Sequence, residues 1–118
     1  MPPRLTTHVL DTAHGCPARD LQIELWAVSG DTRKLLRTAR TNADGRTDQP
    51  LLGPEEMRAG QYELVFWVGD YFAAMFPSAA EIPFLDRVPV RFGIADPGTA
   101  YHVPLLCSPW SYSTYRGS

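Results

Sequence analysis

The feature that most constrains this chain is a period of two. In "DLQIELWAV", Leu21, Ile23, Leu25 and Ala27 fall on one side, and Asp20, Gln22 and Glu24 on the other. "QYELVFWVG" repeats the pattern with Tyr62, Leu64, Phe66 and Val68, and "RVPVRFGI" with Val88, Val90, Phe92 and Ile94 against Arg87 and Arg91. A strand alternates in this way when one face packs on a core and the other meets water. "RLTTHVL", "RKLLRTART" and "AYHVPLLC" are weaker strands of the same kind. Between them, "AHGCPARD", "VSGDT", "NADGR", "GPEEMRAG" and "ADPGT" supply the Gly, Asn, Asp and Pro that tight reversals need. One segment departs: "GDYFAAMFP" predicts a short helix, with Asp70 as its cap and Pro77 as its stop. The expected fold is an all-β, two-sheet sandwich of seven to eight strands with one short helix.

The totals agree with a single domain spanning 1–118. A chain of this size hides roughly 65% of its unfolded surface, enough for a core without staples. The net charge of -2 gives no electrostatic reason to expect a nucleic-acid or anionic-membrane partner. No apolar run approaches the ~20 residues of a membrane helix. The opening "MPPRLTTHVLD" has no apolar stretch of the secretory type, so a cytoplasmic protein is expected. Cys16 and Cys107 are too few for a disulfide framework and are expected to be free thiols, with Cys107 in the core among leucines.

Polar candidates lie near the strand ends. His8 follows Thr6 on the face opposite Leu5, Thr7 and Val9; His102 lies opposite Tyr101, Val103 and Leu105. Pro104 removes a ladder donor, so the late strand is at an edge or irregular there. A histidine facing away from a core is most simply a solvated residue, although imidazole also serves acid–base chemistry and zinc. No HxxxH or CxxC spacing favours the metal. Arg46 closes "TNADGR": the turn needs only Asp44 and Gly45, yet a tight turn also holds a guanidinium rigid for a developing oxyanion. Asp11, Glu55 and Glu56 read as solvated charges, and His14 acquires no role. Spacing alone therefore gives a β-sandwich with a polar site and no named reaction.

Four segments carry more. "LTTHVLDTAHGCPA", "TNADGR", "IPFLDRVPVRF" and "YHVPLLCSPWSYSTYRGS", in this order, resemble the 5-hydroxyisourate hydrolase family, transthyretin-related enzymes of purine breakdown. The opening "THVLD" and the ending "YRGS" are the specific part; in transthyretin proper the tail runs on and these polar positions change. Ala100 stands where the family often has a histidine. The resemblance implies a transthyretin-like (prealbumin-like) sandwich assembled as a homotetramer, with sites at subunit interfaces around a central channel. It implies hydrolysis of 5-hydroxyisourate to 2-oxo-4-hydroxy-4-carboxy-5-ureidoimidazoline in urate degradation, with no metal or cofactor. His8, Arg46 and His102 match the family's active-site positions, and Tyr115 and Ser118 lie in the matching tail.

From these positions we expect His102, coupled to His8, to activate water while Arg46 stabilises the oxyanion. Tyr115 is expected to contact substrate. If "SYSTY" is a strand, Ser111, Ser113 and Tyr115 share the face toward the channel, and Trp110 and Tyr112 serve packing or subunit contact. Arg116 is expected to pair with a carboxylate. Gly117 is expected to turn the chain so that Ser118 and its carboxylate reach the histidines. The alternative on the same fold is a small-molecule carrier of the hormone-binding type without catalysis; a structural module without a pocket is the third reading.

Overall fold

A computed structural model describes residues 2–76 and 82–117. The three clearly alternating segments, with the weaker "RKLLRTART", make one antiparallel sheet. β4 (Gln22–Ser29), β5 (Thr32–Arg40), β6 (Gly60–Trp67) and β7 (Arg87–Ile94) lie in the order β5-β4-β6-β7. The second layer is built from the two ends of the chain. β2 (Val9–Asp11) and β9 (Leu105–Cys107) pair in parallel, flanked by β3 (Cys16–Pro17) and β10 (Tyr112–Thr114) in the order β10-β9-β2-β3. β1 (Leu5–Thr6) and β8 (Tyr101–His102) extend this layer as a parallel pair.

Among the described residues there are ten strands. β1 runs on into β2 and β8 into β9, so the ten count as eight continuous strands, in line with the sequence expectation. The breaks fall at Thr7–His8 and at Val103–Pro104, the latter where the missing proline N–H interrupts the ladder.

The inward faces fill the space between layers. Leu5, Val9 and Leu105 meet Ile23, Leu25, Leu64 and Phe66, each fully buried. Burying a side chain of this kind contributes about 1.5–3 kcal/mol. β5 is different: as an edge strand it keeps most of its residues exposed, Leu35 and Leu36 included.

Three expectations need correction. The helix, α1 (Val68–Met75), starts directly after β6 with Trp67 at its N-cap and no side-chain cap. Asp70 therefore sits in the first turn, where its charge favours the helix dipole, and does not cap. The stop expected at Pro77 lies outside the described residues. Second, Asp11 is not solvated but 1% exposed. Its Oδ1 accepts from the backbone N–H of Ala13 and His14, and its Oδ2 accepts from Tyr71 Oη at 2.8 Å and His14 Nδ1 at 2.6 Å. Burial pushes the Asp11 carboxyl upward, but the bonds from Tyr71 and His14 outweigh it and hold the group below its ordinary range. Third, His14 thus does have a role: it seals the buried carboxylate and stacks on Phe76, joining β2 to α1. Cys16 is free and exposed; Cys107 is free and buried, and burial pushes its thiol up to about 12.

Candidate active site

The break between β1 and β2 carries His8, and the end of β8 carries His102. Neighbouring parallel strands bring them together. Thr6 is the register partner of His102, and the Leu105 N–H donates to the His8 carbonyl at 2.9 Å. Both imidazoles are half-buried, on the face opposite the core residues Leu5, Val9, Tyr101 and Val103.

The "TNADGR" turn docks on the same spot. Asn42 organises it: its Oδ1 accepts from the N–H of Asp44 at 2.9 Å and of Arg46 at 3.2 Å. The Gly45 carbonyl then accepts from the Val9 N–H at 2.8 Å. Gly45 has φ +77, and a Cβ there would collide with the Val9 carbonyl oxygen and sit 3.3 Å from His8 Cδ2. Only glycine lets the turn come this close. The result fixes His8: its Nε2 lies 2.7 Å from the Asp44 carbonyl oxygen. A carbonyl only accepts, so Nε2 carries the hydrogen, and neutral His8 keeps its lone pair on Nδ1.

His102 is held differently. Its Nδ1 lies 2.9 Å from Thr6 Oγ1, leaving Nε2 without a partner among the described residues. Burial lowers the His102 pKa, and the positive charges of Arg46 and His8 push the same way, while a hydrogen bond to the Thr6 backbone opposes them. The ring is thereby biased to its neutral form at pH 7. The Arg46 side chain is exposed and has no hydrogen-bond or ion-pair partner among the described residues. These three residues share one electrostatic neighbourhood.

The tail closes over it. The Gly117 N–H donates to the His102 carbonyl at 2.8 Å, and Arg116 lies 4.2 Å over the Tyr101 ring. Arg116 thus pins the end by a cation–π contact; among the described residues it has no carboxylate partner. Gly117 is not in a left-handed conformation, so its value is close approach: a Cβ there would lie 2.5 Å from His102 Cδ2. In β10, Ser113 opposes Leu106, which in turn opposes Leu10, so Ser113 is on the outward face of the layer, as its phase predicts. Trp110 and Tyr112 are exposed, and Tyr115 is 60% exposed without a hydrogen bond among the described residues. Ser118 lies outside the described residues.

Sequence reading missed Thr6, Asn42 and the Asp44 carbonyl. The asparagine had a signal, since Asn two residues before Asp-Gly favours an Asx turn. Thr6 had none beyond its phase.

A two-sheet sandwich whose outer face gathers two imidazoles and an unpaired guanidinium is a transthyretin-type framework equipped for acid–base chemistry. Comparison with known proteins agrees. Residues 5–117 match the model of the HIUase/Transthyretin family. The chain is 58% identical over 115 residues to the 5-hydroxyisourate hydrolase of Ralstonia nicotianae, covering 98% of each. Among solved structures, the 5-hydroxyisourate hydrolase of Klebsiella pneumoniae matches with a TM-score of 0.79 at 32% identity, covering 98% of this chain and 99% of that one. Transthyretin from Sparus aurata matches with a TM-score of 0.85 at 26% identity, covering 99% and 97%. The chain belongs to the HIUase/Transthyretin family.

Proposed function

We propose that this chain hydrolyses 5-hydroxyisourate to 2-oxo-4-hydroxy-4-carboxy-5-ureidoimidazoline. Its likeness to the Ralstonia nicotianae hydrolase supports the substrate. The observation that carries the chemistry is the state of His102: biased to neutral, bonded at Nδ1 and unpartnered at Nε2, within the field of Arg46.

In this reading His102 Nε2 takes a proton as the water oxygen bonds to the ring carbonyl carbon. Arg46 stabilises the negative charge that develops on the carbonyl oxygen; one donor of this kind contributes about 3 kcal/mol to lowering the barrier. When the carbon–nitrogen bond breaks, His102 returns the proton to the leaving nitrogen and is neutral again. The proton balance closes without a cofactor. His8, with Nε2–H committed to Asp44, presents Nδ1 to the substrate. Tyr115 contacts the substrate, and the Ser118 carboxylate orients the imidazole or the water.

β7 and β10 end their sheets with open ladders, and Trp110 and Tyr112 are bare apolar surface. Both features support edge-to-edge dimers stacked into a homotetramer, with the face bearing His8, His102 and Ser113 lining a channel. The reading also assigns the enzyme to the cytoplasm.

Freshly made 5-hydroxyisourate, followed by its ultraviolet absorbance, tests the reading; no acceleration over spontaneous decay would overturn it. The fold shared with Sparus aurata transthyretin is the observation that favours a carrier. Ligand binding without ring opening would be its signature.

A further inference from the structure

If His102 is the base, something must make Nε2 its working nitrogen, and the following inference rests on that reading. An imidazole rotated by half a turn about its bond to Cβ exchanges Nδ1 with Cδ2 and Nε2 with Cε1. Either orientation fills the same volume, so packing alone does not choose. Hydrogen bonding does. Thr6, on the adjacent parallel strand, puts Oγ1 2.9 Å from His102 Nδ1. On the opposite edge, Gly117 stands against Cδ2, close enough that a Cβ would lie 2.5 Å away. A flipped ring would turn its Cδ2–H toward the Thr6 oxygen and its Nδ1 toward the Gly117 α-carbon, losing the bond.

We propose that Thr6 is a positioning residue, whose hydroxyl oxygen accepts from His102 Nδ1–H and so leaves the lone pair on Nε2, directed at the water. A hydroxyl is suited to this because it has two acceptor sites. It accepts from neutral His102 before proton abstraction and from the imidazolium afterwards. No group has to rotate during the transfer, which is the condition for a preorganised site. Donation from Thr6 to Nδ1 would instead put the hydrogen on Nε2 and remove the base. The Thr6 carbonyl accepts from the Val103 N–H at 2.9 Å, whereas the Thr6 hydroxyl has no other hydrogen-bond partner among the described residues, so its oxygen is committed to this ring.

The test is Thr6→Val, which keeps the β-branched shape a strand prefers and deletes only the hydroxyl. The expected result is a kcat about tenfold lower with KM within about twofold, the pattern of an interaction felt in the transition state. The acid limb of the pH–rate profile should move to lower pH, because the imidazolium loses its acceptor. Nitrogen-15 NMR of the histidine rings should change from one neutral tautomer of His102 to a mixture. Thr6→Ser should restore rate, profile and spectrum. Should the valine variant fold poorly, Thr6→Ala against Thr6→Ser makes the same comparison. Wild-type kcat with an unchanged His102 spectrum in Thr6→Val or Thr6→Ala would overturn the inference. His102→Asn separates the two levels: an active variant overturns the base assignment itself, whereas an inactive one beside a wild-type-like Thr6→Val overturns Thr6 alone.

Discussion

Gly117→Ala adds a single methyl to the tail, and the structure says where it goes. The new Cβ would lie 2.5 Å from His102 Cδ2, 3.2 Å from Cγ and 3.3 Å from the histidine Cβ. An ordinary contact begins near 3.4 Å, so tail and ring must separate by 3.4 − 2.5, about 0.9 Å. Two relaxations are open. If the ring swings, Nε2 leaves its position by about 1 Å and the bond to Thr6 breaks; misplacement of this size costs on the order of 10²-fold in rate. If the tail lifts, the Gly117–His102 hydrogen bond and the stacking of Arg116 on Tyr101 are lost, about 1–2 kcal/mol together. The stability loss then corresponds to a Tm lower by roughly 3–8 °C. Either way activity falls far more than the fold does. Steady-state ring opening and a thermal melt on the same sample measure both. Wild-type kcat in Gly117→Ala would refute the reasoning, because it would mean that neither the ring position nor the docked tail matters to the reaction.

Three further outcomes are expected. Arg46→Ala should lower kcat about 10²-fold with a smaller change in KM, since in the proposed reaction this exposed guanidinium stabilises charge that forms only in the transition state; a change confined to KM would reduce Arg46 to a binding group. Activity should persist below pH 6.5 and fall only as pH drops through a His102 pKa depressed by burial, Arg46 and His8; a pH–rate profile with an acid limb above 6.5 contradicts that environment. Asp11→Ala should destabilise the protein by about 3–5 kcal/mol, because Tyr71 and His14 lose a buried partner. The sign with pH follows from the lowered Asp11 pKa: its contribution is complete above pH 3.8 and is lost as pH falls through the lower folded value. Denaturant titrations of wild type and variant at pH 7 and at pH 2 should therefore converge toward acid.

The sheet of long strands was legible because its information is local. Leu21, Ile23 and Leu25 alternate within a few residues, and no distant contact is needed to read them. What the sequence hid depends on pairs far apart. Asp11 reads as a solvated charge until Tyr71, 60 positions away, is placed over it. Asp70 reads as a cap until the helix is seen to start straight from β6, a boundary set by burial of Val68 and not by a capping signal. The histidines and the arginine of the candidate site are recognised through motif likeness; strand phase gives only the outward direction of the two histidines. Thr6 shows the limit most clearly. Its phase put it beside His8, but its partner is His102, 96 residues on, and only the parallel register of β1 with β8 joins them.

That register also gives the tail its docking place, on His102. The layer bearing the site joins the early strands β1 and β2 to the late strands β8 and β9, so its polar groups come from early and late in the sequence and from one mid-chain turn. A slack tail would leave His102 with an open edge at Cδ2, free to swing away from Thr6. The docked Gly117 keeps the ring from swinging out of its place, the Thr6 bond chooses between its two flipped orientations, and the Arg116–Tyr101 stack holds Gly117 from outside the site. Fixing an imidazole against rotation needs a bond on one edge and a wall on the other. Here β1 supplies the bond and the tail supplies the wall, so loosening either end of the chain should reach the same nitrogen.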